Sequence, residues 1–366
     1  MTTQLDVRTP TARYPVHIGT GLLARVGDLL GGSGVKPGVR ALVVTDDHVA
    51  SLGYADTVAE SLAASGIPSS ITRVPPGDAT KSLAMTEHLY RELLRAGVQR
   101  DGLVVAVGGG VVGDLAGFAA ATYQRGVRFV QVPTTLLAHD SSIGGKVGVN
   151  LAEAKNLVGA FHHPTAVIYD VATLASLPPR EWRGGMAEVL KHGIIGDPDL
   201  FAALEAEPCA TYPGSLAAER MVAQACQVKI RVVEADEHES ALRMTLNLGH
   251  TFGHAVEHAS GYRLNHGEAV AIGICLESHL AVRMGWLATA ERDRVVEAFR
   301  RHGLPVTPPK DIPSDAVWAA LRLDKKHTHG GLTFALPRGI GRVEVARGVP
   351  ETLVTAVWQE MEERRT

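Results

Sequence analysis

Glu188 and Lys191 stand three residues apart in Met186-Ala-Glu-Val-Leu-Lys191, a spacing that puts both on one face of a helix. His250 and His254 are four apart in Asn247-Leu-Gly-His-Thr-Phe-Gly-His254, again on one helical face. His266 stands just before a further helical run, where a loop is expected. One carboxylate and two imidazoles from separate elements (Glu188, His250, His266) make a three-ligand set with one position open, which suits a catalytic zinc rather than a closed structural one. The histidine pair alone would not carry this, because imidazoles at i, i+4 are ordinary on solvated helices. His162, His163, His238, His258 and His279 have no such company and read as solvated or hydrogen-bonded histidines.

A second constellation is Gly108-Gly-Gly-Val-Val-Gly-Asp114, which follows a β-rich run and opens a helical one. Glycines there let backbone N–H groups approach a pyrophosphate at a helix N-terminus, where the dipole favours an anion. It is not a strict G-x-G-x-x-G, and a tight strand-to-helix turn is the alternative. Thr134 and Thr135, after the next β-rich run, add hydroxyl donors. Lys146, Lys155 and Asn156 lie in what reads as a long polar loop. With Arg243 and Asn247 they would suit a phosphorylated or carboxylated substrate, against the plainer reading of a solvated loop with ordinary lysines.

The elements that must position these residues fall into two halves. Runs at 41–45, 70–74, 103–107, 128–132 and 166–169 read as strands, with helices expected over 51–65 and 82–97. Strands separated by helices argue a parallel sheet with helices on both faces, a Rossmann-like α/β domain over 1–177, begun by a hairpin across 5–18. After Leu177-Pro-Pro179 the periods become helical, at 181–195, 216–235, 244–260, 268–283, 291–302 and 314–323. Gly193, Gly261, Gly285 and the Pro305–Pro313 cluster are the expected breakers. A mainly helical domain over 178–366 is therefore expected, with a late strand pair at 332–335 and 342–345. The cleft between the two is the default place for an active site.

Composition excludes several classes. The 366 residues are 45% hydrophobic and 20% charged, a balance that buries a core rather than staying disordered. A net charge of −3 without a basic run argues against nucleic-acid or anionic-membrane partners. The stretch 102–123 is too broken by Asp114 and glycine to span a bilayer, and the first eight residues lack an apolar secretion core. Three scattered cysteines fit a reducing cytoplasm.

Taken in order, several stretches resemble one family, the 3-dehydroquinate synthases. They are Gly109-Gly-Val-Val-Gly-Asp114, Thr122-Tyr-Gln-Arg-Gly126, the run from Val132 to Lys146, Lys155-Asn156, Met186 to Lys191, Arg243 to His254, and His266-Gly-Glu-Ala-Val-Ala-Ile-Gly273. The resemblance implies conversion of 3-deoxy-D-arabino-heptulosonate 7-phosphate to 3-dehydroquinate and phosphate, with bound NAD and a divalent metal, zinc or cobalt. The sugar is oxidised transiently, loses phosphate, is reduced again, opens and closes by an intramolecular aldol step. Glu188, His250 and His266 take the metal-ligand places. Asp46, Gly110, Val111, Val112, Gly113, Asp114, Thr134, Thr135, Lys155, and Thr173, Leu174, Ala175 and Ser176 take NAD-binding places. Gly77, Asp78 and Lys81 form a further cofactor contact, although the family usually shows Gly-Glu here, and His48 replaces an expected small polar residue. Asp140, Lys146 (also near the cofactor), Asn156, Lys191, Lys229, Arg243, Asn247 and His254 fall at substrate positions, and Asp324-Lys-Lys326 resembles a further lysine contact. Arg125 matches an arginine offered across a homodimer interface. Other sugar-phosphate cyclases, such as 2-deoxy-scyllo-inosose synthase, and metal-dependent polyol dehydrogenases are the alternatives. Arg243, Asn247 and His254 together favour a carboxylated substrate.

Overall fold

Four apolar residues in a row, Ala41 to Val44, leave no face for water, which is the pattern of a strand covered on both sides. In the computed structural model, which describes residues 2–151, 155–325 and 332–364 (323–325 by backbone alone), they open such a strand. The chain divides into two compact units, Met1–Leu177 with Gly214–Ile230, and Pro178–Pro213 with Arg231–Thr366.

The first unit begins with an antiparallel hairpin, β1 (Thr2–Arg8) and β2 (Arg13–Gly19). There follow α1 (Val26–Gly32), β3 (Ala41–Asp46), α2 (Asp47–Ser51), α3 (Tyr54–Ala64), β4 (Ser69–Val74) and α4 (Leu83–Arg95). Next come β5 (Leu103–Gly108), α5 (Gly110–Thr122), β6 (Arg128–Pro133), α6 (Ala138–Ser141), a short hairpin of β7 (Lys146–Val149) and β8 (Val158–Phe161), and β9 (Ala166–Asp170). The main sheet runs β1-β2-β9-β6-β5-β3-β4, parallel throughout except for β1. Counting from β3, the five strands from β4 to β9 lie in the order 2-1-3-4-5, so the winding reverses between β3 and β5. The carboxyl ends of those two strands, at Asp46 and Gly108, flank the topological switch point where open α/β sheets bind ligands. Val43, Val105 and Val130 pack on the face covered by α1 and α3; Leu42, Val44 and Val104 pack on the other, under α4 and α5. Each such fully buried side chain contributes about 1.5–3 kcal/mol.

The second unit holds α7 (Pro179–Gly196), α8 (Pro198–Ala206), the end of α9 (Ser215–Ala235), α10 (His250–Ala259), α11 (His266–Arg283), α12 (Thr289–Arg301), α13 (Ser314–Lys325), the antiparallel pair β10 (Leu332–Gly339) and β11 (Arg342–Val349), and α14 (Glu351–Glu363). Its core joins Phe252 and Val256 of α10, Ile272, Leu276 and Leu280 of α11, Phe334 of β10 and Trp358 of α14.

Several sequence expectations need correction. The helix expected over 244–260 is two pieces: a 3-10 turn, Leu242–Asn247, and α10, divided at Gly249 with φ +83°. Gly193 does not end a helix; it lies inside α7, where a Cβ would come within 3.0 Å of Phe201 Cβ on α8. Lys146 is not in a loop but opens β7, and His266 is the first residue of α11. That start is earlier than the apolar period suggests because Asn265 and Glu268 form a reciprocal capping box.

Candidate active site

In the first unit, β5 runs into Gly108 and α5 starts at Gly110, with Gly109 as an N-cap that offers no side chain. The first intrahelical bond is Gly113 N–H to Gly109 O, at 3.0 Å, which leaves the amides of Gly110, Val111 and Val112 as orphan donors of the helix start. The glycines are needed sterically: a Cβ on Gly109 would sit 3.0 Å from Thr135 Cγ2, and one on Gly113 2.6 Å from Gln131 Oε1. The Thr134 hydroxyl, on the adjacent β6 end, is buried with no hydrogen-bond partner. An unsatisfied hydroxyl beside open helix amides and a side-chain-free turn fits the pyrophosphate of a dinucleotide.

Around this turn the structure joins residues that are distant in sequence. Lys81 Nζ donates to Asp114 Oδ2 and to Asn156 Oδ1, both at 2.7 Å, and Lys81 itself is buried. Burial pushes the Asp114 carboxyl up, and the charge and hydrogen bond of Lys81 offset that in part. Lys155 pairs with Asp78 at 3.1 Å, just after Gly77 with φ +99°. Lys229, on α9, pairs with Asp140 Oδ1 at 2.9 Å and also donates to the Asp140 carbonyl. Other cofactor candidates are engaged locally: Asp46 caps α2 through Val49 N–H at 2.8 Å, and the Thr173 and Ser176 hydroxyls donate to the carbonyls of Asp170 and Thr173. Leu174 is buried and Ala175 exposed on the same 3-10 turn. Arg125 is exposed at φ +66°, next to Gln124 at φ +50°; two such non-glycine residues in succession mark a strained turn.

The second unit builds the three-ligand set from three helices that glycines bring close. A Cβ on Gly267 of α11 would lie 2.1 Å from the Gly184 carbonyl oxygen of α7, and one on Gly273 of α11 would lie 1.9 Å from the Gly249 carbonyl oxygen at the start of α10. At that separation Glu188 (α7) Oε1 is 3.7 Å from His250 Nε2 (α10) and 3.3 Å from His266 Nε2 (α11). One ligand atom from each of the three lies within 4.8 Å of the others. Glu188 is 1% exposed and its other oxygen pairs with the equally buried Lys191. This oxygen–nitrogen–nitrogen donor set, three ligands rather than four, fits a catalytic divalent metal. Backbone and carboxylate groups aim the rings: His250 Nδ1 meets the Leu248 carbonyl at 3.1 Å, and Glu257 approaches His266 Nδ1 at 4.0 Å. Burial opposes charge on His266, but Glu188 and Glu257 outweigh it and push the ring up to about 9. Burial, then the Lys191 charge, hold His250 well below the usual imidazole range. The exposed His254 stands edge-on to His250, ring centroids 5.2 Å apart.

Arg243 and Asn247 come from the 3-10 turn before α10. Arg243 is buried and donates to the Glu237 carbonyl, and Asn247 Nδ2 donates to Glu239 Oε1 at 3.0 Å. Lys326 lies outside the described residues, as do the side chains of Asp324 and Lys325. The sequence reading passed over Glu257, Glu239 and Glu277. Glu257 had a signal, since it stands three residues after His254 and seven after His250 on one helical face. Glu239 and Glu277 had none, because their partners, Asn247 and the Gly249 N–H, are reached only through the fold.

Residues 71–184 match the family model described as 3-dehydroquinate synthase N-terminal, and residues 185–327 the one described as 3-dehydroquinate synthase C-terminal. A 3-dehydroquinate synthase of Synechococcus sp. is 43% identical over 364 residues, covering 98% of this chain and 99% of its own. Among solved structures, 2-epi-5-epi-valiolone synthase from Streptomyces hygroscopicus, with NAD+ and Zn2+ bound, is 32% identical with a TM-score of 0.83, over 96% of this chain and 97% of that one. A 2-deoxy-scyllo-inosose synthase complexed with carbaglucose-6-phosphate, NAD+ and Co2+ is 26% identical with a TM-score of 0.87, over 98% of this chain and all of that one.

Proposed function

We propose that this chain, which belongs to the 3-dehydroquinate synthase family, converts 3-deoxy-D-arabino-heptulosonate 7-phosphate to 3-dehydroquinate and phosphate. The observation that carries this reading is the near full-length likeness to 3-dehydroquinate synthases, supported by the Glu188, His250 and His266 cluster. NAD would be held at Gly110 to Asp114 with Thr134 and Thr135, where it would supply reversible oxidation of a secondary alcohol. A divalent metal held by Glu188, His250 and His266, zinc or cobalt, supplies Lewis acidity toward the sugar hydroxyls.

The remaining work falls to the chain's own side chains. Arg243 offers a planar guanidinium that suits the substrate carboxylate, and Asn247 fixes a neighbouring hydroxyl. Lys146, Lys155, Asn156 and Lys191 hold the phosphate and favour its departure as an anion. Lys229, ion-paired with Asp140, adds a further cation for the anionic substrate. His254, exposed and edge-on to His250, takes and returns a proton on its ring nitrogen.

The active species is read as a homodimer, with Arg125 reaching a neighbouring subunit. Cys209, Cys226 and Cys275 are all free thiols, which suits a reducing cytoplasm. No helix among the described residues is long and apolar enough to cross a membrane. The likeness to 2-deoxy-scyllo-inosose synthase keeps a second cyclase reading in view. Assaying phosphate release from the heptulosonate phosphate beside a sugar phosphate without a carboxylate separates the two. Release from the first alone supports the proposed reaction, and release from the second alone overturns it.

A further inference from the structure

Between the end of α9 at Ala235 and the 3-10 turn that starts at Leu242, the chain reverses around a single side chain. Asp236 Oδ1 accepts from the Ser240 N–H at 2.9 Å and from the Ser240 hydroxyl at 3.0 Å. Its Oδ2 accepts from the Ala241 N–H at 2.7 Å and from the Arg243 N–H at 2.9 Å. Four donors from residues 240–243 converge on one carboxylate that is only 8% exposed. Burial works against its charge, but the N–H groups of Arg243, Ser240 and Ala241 hold it well below the usual carboxylate range. The segment it closes is unusual: Glu239 has φ +59°, and Ala241 sits at φ −154°, ψ −81°. A non-glycine residue in the left-handed region persists where its surroundings over-determine it.

The same segment anchors two side chains. Arg243 Nη1 donates to the Glu237 carbonyl, and Asn247 Nδ2 donates to Glu239. We propose that Asp236 is a positioning residue for substrate binding, folding residues 236–247 so that Arg243 and Asn247 are presented in one fixed geometry. This rests on the reading above that Arg243 meets the substrate carboxylate. The metal ligands do not depend on Asp236, because the start of α10 is held separately, with Gly249 N–H donating to the buried Glu277 carboxylate of α11.

The chemistry of the turn makes asparagine a sharp probe. The Asp236→Asn change would keep the shape but turn an NH2 group toward N–H donors that need an acceptor. In the holoenzyme, Asp236→Asn should raise KM for the heptulosonate phosphate tenfold or more, while kcat stays within about threefold. Bound metal and NAD should remain at one equivalent each. In an Arg243→Ala background the same change should move KM by less than twofold, because the side chain it positions is gone; a purely structural role would act alike in both backgrounds. Ser240→Ala, which removes one donor of the four and leaves the backbone donors in place, should raise KM about threefold, and it decides the matter if Asp236→Asn does not fold. An unchanged KM in both single variants, or a full KM effect in the Arg243→Ala background, overturns the assignment. If the unaltered chain releases no phosphate from the heptulosonate phosphate, the reading of the reaction fails on that control and the Asp236 role falls with it.

Discussion

On the proposed function, Glu188, His250 and His266 each offer one ligand atom to the metal, from three different helices. Replacing any of them by Ala should strip most of the bound metal and the activity with it, measured as metal equivalents per chain; a full equivalent retained in all three variants would contradict the assignment. Acidification should release the metal from the unaltered chain, because both imidazoles must be unprotonated to bind. At this scale the sequence was informative wherever residue type and helical spacing sufficed, as for Glu188 with Lys191 and His250 with His254. It was silent where the partner arrives through the fold. Lys81, Asp114 and Asn156 meet although 33 and 75 positions separate the lysine from its partners. No local period encodes such a contact.

The placement of α10 and α11 depends on residues without side chains. Because a Cβ on Gly273 would lie 1.9 Å from the Gly249 carbonyl oxygen and 2.8 Å from the Gly253 nitrogen, Gly273→Ala must drive the two helices apart. We expect a loss of about 3 kcal/mol in a denaturant melt, together with weakened metal binding, since His250 and His266 lie on those helices. A melt and metal content like those of the unaltered protein would refute this. On the same helix, His279 packs against Arg292 of α12 (3.3 Å) and Glu360 of α14 (3.8 Å), with Asp293 and Arg364 nearby. Burial first, then Arg292, lower its ring from 6.5 to about 4. Between those values the unfolded chain takes up a proton that the folded chain refuses, so the stability is intact above pH 6.5 and lost as the pH falls toward 4. That loss is on the order of 2 kcal/mol. His279→Gln should flatten it, and equal acid sensitivity in chemical denaturation of both proteins would count against the account. The apolar periods located most helices, yet not the division of 242–259 into a 3-10 turn and α10. The apolar period runs across that break, which is set by the left-handed Gly249 and by the Glu277 carboxylate below it.

For the molecule as a whole, alternating strands and helices announced the parallel sheet, and the change of period near Leu177 announced the helical region. The β7–β8 hairpin was not legible, because its four-residue strands are too short to show alternation and meet at Gly148 and Gly159. Assembly can be tested by complementation. Inactive Arg125→Ala chains mixed with inactive Lys146→Ala chains should regain activity, as one hybrid site would be whole; an active enzyme that sediments only as a monomer would contradict a shared arginine. On the proposed function, one site oxidises, eliminates and reduces without giving up its cofactor. This is tested most directly by supplying the heptulosonate phosphate with a trace of NAD and following phosphate, dehydroquinate and the absorbance of reduced cofactor together. Many turnovers of phosphate and dehydroquinate per NAD are expected, with no net rise in that absorbance. Stoichiometric reduced cofactor formed from a non-phosphorylated polyol, with no phosphate released from the heptulosonate phosphate, would contradict this reading.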